Sequence, residues 1–148
     1  MKIPAPALRF WPLILLAPIA YLLWMQHKSD TVEIQPVVCA TLASGCTVQL
    51  ADREIRLGMT GELKPLSPFQ VWVQFNDPAQ AAAVNKAEAR FVMEGMDMGF
   101  NLYSLRPDAD GVLRANVTLP ICVTGRRDWA MILEIDNLRL SIPFVTDL

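Results

Sequence analysis

Histidine is nearly missing from this 148-residue chain: the single one, His27, lies where an early apolar stretch ends. Its absence from residues 28–148 excludes a Ser-His-Asp or Cys-His nucleophile pair, an imidazole-ligated zinc or non-haem iron site, and a haem His ligand there. Glycine is scarce as well, seven residues in all, and neither GxGxxG nor GxxxxGK[ST] occurs, so the sequence has no Gly-rich phosphate cradle. Carboxylates do not make up the deficit. They are scattered, and Asp108, Asp110 and Asp136 fall in turn-like sequence, where they read as solvated loop charges rather than an acid–base pair. The chain is expected not to be an enzyme. Positive charge is short too: without residues 1–28, which hold Lys2, Arg9 and Lys28, ten basic residues face fifteen acidic ones, a formal charge of −5. A nucleic-acid partner needs a positive face and is excluded.

What is abundant is apolar surface, 53% of residues, and much of the excess lies in residues 10–25, FWPLILLAPIAYLLWM. Sixteen apolar positions give about 24 Å of helix against a hydrocarbon core of roughly 30 Å, short but sufficient for a span. Trp11, Tyr21 and Trp24 suit the interfaces, and Pro12 and Pro18 would kink the helix. Lys2 and Arg9 precede the stretch with no acid beside them, so the positive-inside rule keeps residues 1–9 in the cytoplasm and exports the rest. A cleaved signal peptide is the competing reading. Cleavage after Ala20 would follow Pro18 and Ile19, a poor small-x-small site, which favours an uncleaved anchor. The expected organisation is a cytoplasmic segment 1–9, a transmembrane helix 10–25, a polar linker 26–31 and one exported domain, 32–148.

Beyond the linker the hydrophobic period becomes two, the signature of half-buried strands. Phe69, Val71, Val73 and Phe75 alternate with Gln70, Trp72 and Gln74; Leu113, Ala115, Val117 and Leu119 alternate with Arg114, Asn116 and Thr118. Trp129, Met131, Leu133 and Ile135 form another row, and past a two-residue turn at Asp136-Asn137 come Leu138, Leu140, Ile142 and Phe144. Val48 and Leu50 lead through a turn at Asp52-Arg53 to Ile55, Leu57 and Met59, and residues 106–111 read as a further hairpin turn. Residues 78–89 are alanine-rich behind Asp77 as a possible N-cap, and fit either a short helix or a loop leading into a strand. Seven to nine short strands predict an all-β fold, an immunoglobulin-like antiparallel β-sandwich preceded by the one transmembrane helix.

Three cysteines, Cys39, Cys46 and Cys122, all fall in the exported part, where an oxidising compartment favours disulfides. Cys39 and Cys46 enclose six residues including Gly45, so a local bridge between them is feasible; Cys46–Cys122 is the rival pairing. A leftover Cys122 reads as a reactive thiol, a metal ligand or an intermolecular bridge, or else as a small buried hydrophobe. Soft sulfur also concentrates at Met93, Met96 and Met98. Thioethers and thiolates select Cu(I), and Met96 and Met98 would point the same way on an extended chain. The same residues fit plain core packing. Met96, Met98, Phe100 and Leu102 alternate with Asp97, Gly99 and Asn101, and Ala89, Phe91 and Met93 form an apolar row. Arg126 and Arg127 offer bidentate contacts to a docking partner, or belong to a loop in which Asp128 pairs locally while Trp129 opens a core strand.

The MDMG segment at Met96–Gly99, the LPxC segment at Leu119, Pro120 and Cys122, and the RxDW-like run Arg127, Asp128 and Trp129 resemble those of small membrane-anchored proteobacterial proteins. More loosely, residues 91–135 are similar to the FixH/YtkA-like group, whose members carry one transmembrane helix and an exported β-sandwich. The resemblance implies copper handling or assembly of a respiratory haem-copper oxidase, in a bacterial inner membrane with the folded domain in the periplasm. The expected cofactor is Cu(I) on Met93, Met96, Met98 and Cys122; the expected partners are the inner membrane and a respiratory oxidase subunit or copper chaperone. The alternative is a metal-free accessory factor that binds a membrane complex through its β-sandwich and helix.

Overall fold

The rows of alternating apolar residues predict which faces are buried, and the computed structural model gives Pro18, Tyr21 and residues 33–50, 53–96 and 99–147 on which to test them. The chain divides into two units, Met1–Val32 and Glu33–Leu148. The expected segment 1–9, anchor 10–25 and linker 26–31 lie outside the described residues, Pro18 and Tyr21 apart; among the described residues no helix is long and apolar enough to cross a membrane.

The second unit is built of strands β1 (Ile34–Pro36), β2 (Cys46–Gln49), β3 (Glu54–Thr60), β4 (Pro68–Phe75), β5 (Ala87–Val92), β6 (Leu102–Ser104), β7 (Arg106–Pro107), β8 (Val112–Thr118), β9 (Asp128–Ile135) and β10 (Leu138–Val145). They form two five-stranded sheets, ordered β1-β10-β9-β5-β6 and β2-β3-β4-β8-β7. Pairing is antiparallel except at one edge, where β1 runs parallel to β10. Ten strands exceed the seven to nine expected because β1, β6 and β7 are only two or three residues long, too short for a period to show. Short edge strands also leave little unpaired backbone to template association.

The rows predicted on β3, β4, β8, β9 and β10 point inward. Phe69, Val71, Val73 and Phe75 from one sheet meet Trp129, Met131, Leu133 and Ile135 from the other in a single core, with Leu140, Ile142 and Phe144 beside them. Phe91 stands at its centre, edge-on to Phe69 of the facing sheet and to Tyr103 and Phe144 of its own, with centroids 5.9 to 6.0 Å apart. The Tyr103 hydroxyl donates to the Thr118 carbonyl at 2.6 Å, tying β6 to the end of β8 across the two sheets. The alanine-rich stretch resolves into both of its readings: α1 (Pro78–Ala83), capped by the Asp77 side chain accepting from Ala79 N, and then β5.

One expected strand reads the other way. An inward Met96–Leu102 row requires Phe100 and Leu102 to be buried, yet Phe100 is fully exposed and Leu102 lies outward, while Asn101 is buried and its carbonyl accepts from Phe91 N at 2.9 Å. The Met93–Met96 turn, with Gly95 at φ +70° and the Met96 amide on the Met93 carbonyl at 3.2 Å, ends where the row begins; the alternation breaks further on, at Gly99, which sits at φ +67° with the Asn101 amide returning to its carbonyl at 3.0 Å. A positive φ is what glycine supplies most easily, and the bend there reverses the parity ahead of Leu102.

The disulfide forms between Cys39 and Cys46, leaving Cys122 free and buried. The disulfide loop lies against β3 where Gly58 has no side chain: a Cβ there would meet the Trp72 ring at 2.5 Å and the Leu42 carbonyl at 2.6 Å. Glycine at this position serves close approach rather than flexibility.

At the β7–β8 hairpin Asp108 holds the turn, accepting from the Asp110 and Val112 amides and from Arg114 Nε at 2.6 Å. The Arg114 bond, followed by the Val112 amide, holds its carboxyl below the ordinary value of 3.8. A depressed native pKa stabilises above the unfolded value, and that contribution is lost as pH falls through the native one. Asp108→Asn keeps an acceptor for the amides and loses the charge. It is expected to lower the melting temperature at pH 7, with the gap to the unaltered protein closing below about pH 4. Calorimetry across pH 2–7 checks this; a gap independent of pH would show that the charge contributes nothing.

Candidate metal centre

Three loops meet at one end of the unit: the β3–β4 connection, the Met93–Met96 turn that follows β5, and the β8–β9 connection that carries Cys122. β5 and β8 belong to opposite sheets, but the connection after β8 leads into β9, the strand paired with β5, and so lies beside the turn that follows β5. Their meeting brings two of the sequence-predicted sulfurs together. Cys122 Sγ lies 3.6 Å from Met96 Sδ, with the thiol donating to the thioether.

That spacing suits a shared ion. With metal–sulfur bonds of about 2.3 Å, as zinc makes to thiolates, sulfurs 3.6 Å apart subtend roughly 100° at the ion, close to a tetrahedral angle. Cys122 is 7% exposed and Met96 half-buried, so an ion held between them touches the protein surface. Among the described residues no three His, Cys, Asp or Glu side chains are grouped to hold an ion; what is brought together at this point is the sulfur pair.

Polar groups gather around the Cys122 sulfur. Cys122 opens a turn closed by the Gly125 amide on its carbonyl at 3.0 Å, which swings the following residues back over the sulfur. The Thr124 hydroxyl lies 3.0 Å from Sγ. That hydroxyl above all, then the amides of Thr124 and Arg126 and the Arg126 charge, pull the thiol pKa below its ordinary value against the opposing effect of burial. Hydrogen bonds to the charged form are what favour it.

The remaining candidates divide. Met93 is 3% exposed and lies in the core on the inward row of Ala89 and Phe91. Met98 lies outside the described residues. Arg126 pairs with Asp128, as a locally paired loop would, which holds that carboxyl below its ordinary range; Nη1 also donates to the Glu94 carbonyl at 2.9 Å. Arg127 is exposed, and its carbonyl accepts from Thr146 N at 3.0 Å. Sequence reasoning missed Thr124 and the Arg126 bond to Glu94, because neither sits in a periodic row or a metal-ligand motif.

Large apolar side chains surround this end without cover: Phe100 fully, Val123 95% and Ile121 59% exposed. A cleft of about 770 Å³ lies elsewhere, lined by Ile55, Phe75, Ile135 and Leu138 with Arg53 and Lys86, and has no sulfur in its walls. Comparison with protein-family models, curated proteins and solved structures found no match to this chain.

Proposed function

We propose that the chain is a membrane-tethered periplasmic protein that handles Cu(I) and acts in the assembly of a respiratory haem-copper oxidase. The observation that carries the copper reading is the 3.6 Å approach of Cys122, in the β8–β9 connection, to Met96, at the end of the turn after β5. Binding replaces the thiol proton: Cu(I) takes the sulfur lone pair that held H⁺, and one proton leaves to solvent. The resulting thiolate–thioether pair is neutral with a monovalent ion and soft throughout, the donor chemistry Cu(I) prefers. Met98 and Met93 are the candidates for a third sulfur. The tether rests on residues 10–25 and the oxidase partner on the resemblance of residues 91–135. An immunoglobulin-like topology for the domain is supported by the strand orders β3-β4-β8-β7 and β10-β9-β5-β6, which follow the A-B-E-D and G-F-C-C′ arrangement.

Anaerobic titration of the full-length protein with Cu(I) against a chromogenic chelator, with X-ray absorption on the loaded sample, tests the reading. One copper per chain with a Kd below micromolar and a sulfur-only shell is the expected result. No competition with the chelator, or a shell of nitrogen and oxygen, overturns it. The exposed Phe100, Ile121 and Val123 favour one second reading, an accessory factor that docks on a membrane complex without metal. That reading takes first place if copper is not held.

A further inference from the structure

Arg126 bridges the two loops that carry the sulfur pair. Its guanidinium forks onto the Asp128 carboxylate through Nε and Nη2, fixing the plane of the group at the start of β9. Its remaining nitrogen, Nη1, reaches across to the Glu94 carbonyl at 2.9 Å, inside the Met93–Met96 turn and two residues before Met96. The same residue belongs to the β8–β9 connection that carries the other donor, four residues after Cys122. The tip of the turn is otherwise open: a Cβ on Gly95 would meet nothing within 4 Å, and Glu94 is exposed, while Met93 and Met96 on either side pack inward. The Arg126 bond is what ties that tip to the facing loop.

We infer that Arg126 is a positioning residue: it clamps the Met93–Met96 turn onto the Cys122 loop and so sets the distance between the two sulfurs. This rests on the Cu(I) reading above. The planar fork is what makes arginine necessary, since three directed donors serve two acceptors on different loops at once. A lysine ammonium carries the same charge but cannot hold both Asp128 and the Glu94 carbonyl in the same geometry.

The test is a double-mutant cycle on the full-length protein, read as Cu(I) affinity by chelator competition. Loss of an outer hydrogen-bond partner of a metal ligand costs about 10–100-fold in affinity, and Arg126→Gln is expected to fall in that range. Because the effect passes through Met96, Arg126→Gln added to Met96→Leu is expected to cost no more than about twofold beyond Met96→Leu alone. Arg126→Lys is expected to bind as weakly as Arg126→Gln, and it carries the test should the glutamine variant fail to fold. X-ray absorption on copper-loaded Arg126→Gln is expected to show one sulfur fewer. Multiplicative losses in the double variant, full rescue by lysine, or unaltered affinity in Arg126→Gln would each overturn the positioning role while leaving copper binding intact. An unaltered protein that holds no copper overturns both.

Discussion

Cys122→Ser is expected to weaken Cu(I) binding by more than a hundredfold, the largest functional effect of any single substitution in the molecule. Losing an outer partner of a ligand already costs about 10–100-fold, and here the ligand itself is lost. Serine keeps the shape but stays protonated at neutral pH, so the site forfeits a soft donor and its only negative charge together. Met96→Leu removes a neutral thioether and keeps the packing, so its loss is expected to be smaller, about tenfold or more. Cys122→Met separates the two contributions of the thiolate, since it keeps a soft sulfur and discards the charge; it is expected to fall between the other two. Chelator competition under one set of conditions ranks all three. Equal affinities for the unaltered protein and Cys122→Ser would remove the sulfur pair as the copper site. Thr124→Val is a useful companion: the hydroxyl contributes most to holding the thiol low, and its loss leaves both ligands in place.

The rows on β4, β8, β9 and β10 were legible because each obeys one rule: the pleat sends alternate side chains to opposite faces, and one face is buried. Every member of the row Phe69, Val71, Val73 and Phe75 lies inside. The Cys39–Cys46 bridge was legible for a similar reason, as it closes a short loop. The reasoning stopped at the loops. Met96 and Cys122 lie 26 residues apart, one in the turn after β5 and the other in the connection from β8 to β9, so no window of sequence reports their approach. Periodicity also misled at Phe100, because it presumes an unbroken strand through residues 96–102, and the bend at Gly99 interrupts it. The Arg126 bond to Glu94 was hidden more deeply, since a main-chain acceptor carries no residue-type signal at all. The sulfurs were visible as a composition; their adjacency is a product of the packed sheets.

That dependence makes Phe91→Ala the substitution with the largest expected effect on stability. Phe91 is 1% exposed and touches Phe69, Tyr103 and Phe144 through edge-on ring contacts. Truncating a buried phenylalanine costs about 3–5 kcal/mol through lost transfer energy and the cavity left behind. Against a typical stability of about 5–15 kcal/mol, this is from about a fifth to the whole of what holds a domain of ordinary stability folded. Phe91→Leu fills much of the same volume and is expected to cost under about 1.5 kcal/mol, so the pair separates packing from backbone effects. Urea unfolding followed by tryptophan fluorescence reads both, with the midpoint falling at an unchanged slope. A loss below about 1 kcal/mol in the alanine variant would mean that the aromatic cluster contributes little beyond what its neighbours recover. The consequence extends to the sulfurs. Phe91 lies two residues before Met93 on the strand that ends in the methionine turn, and its contact with Phe69 spans the two sheets whose loops supply Met96 and Cys122. Copper affinity is therefore expected to fall in Phe91→Ala even where the protein remains folded, and to be kept in Phe91→Leu, because the spacing of the sheets is what sets the spacing of the donors.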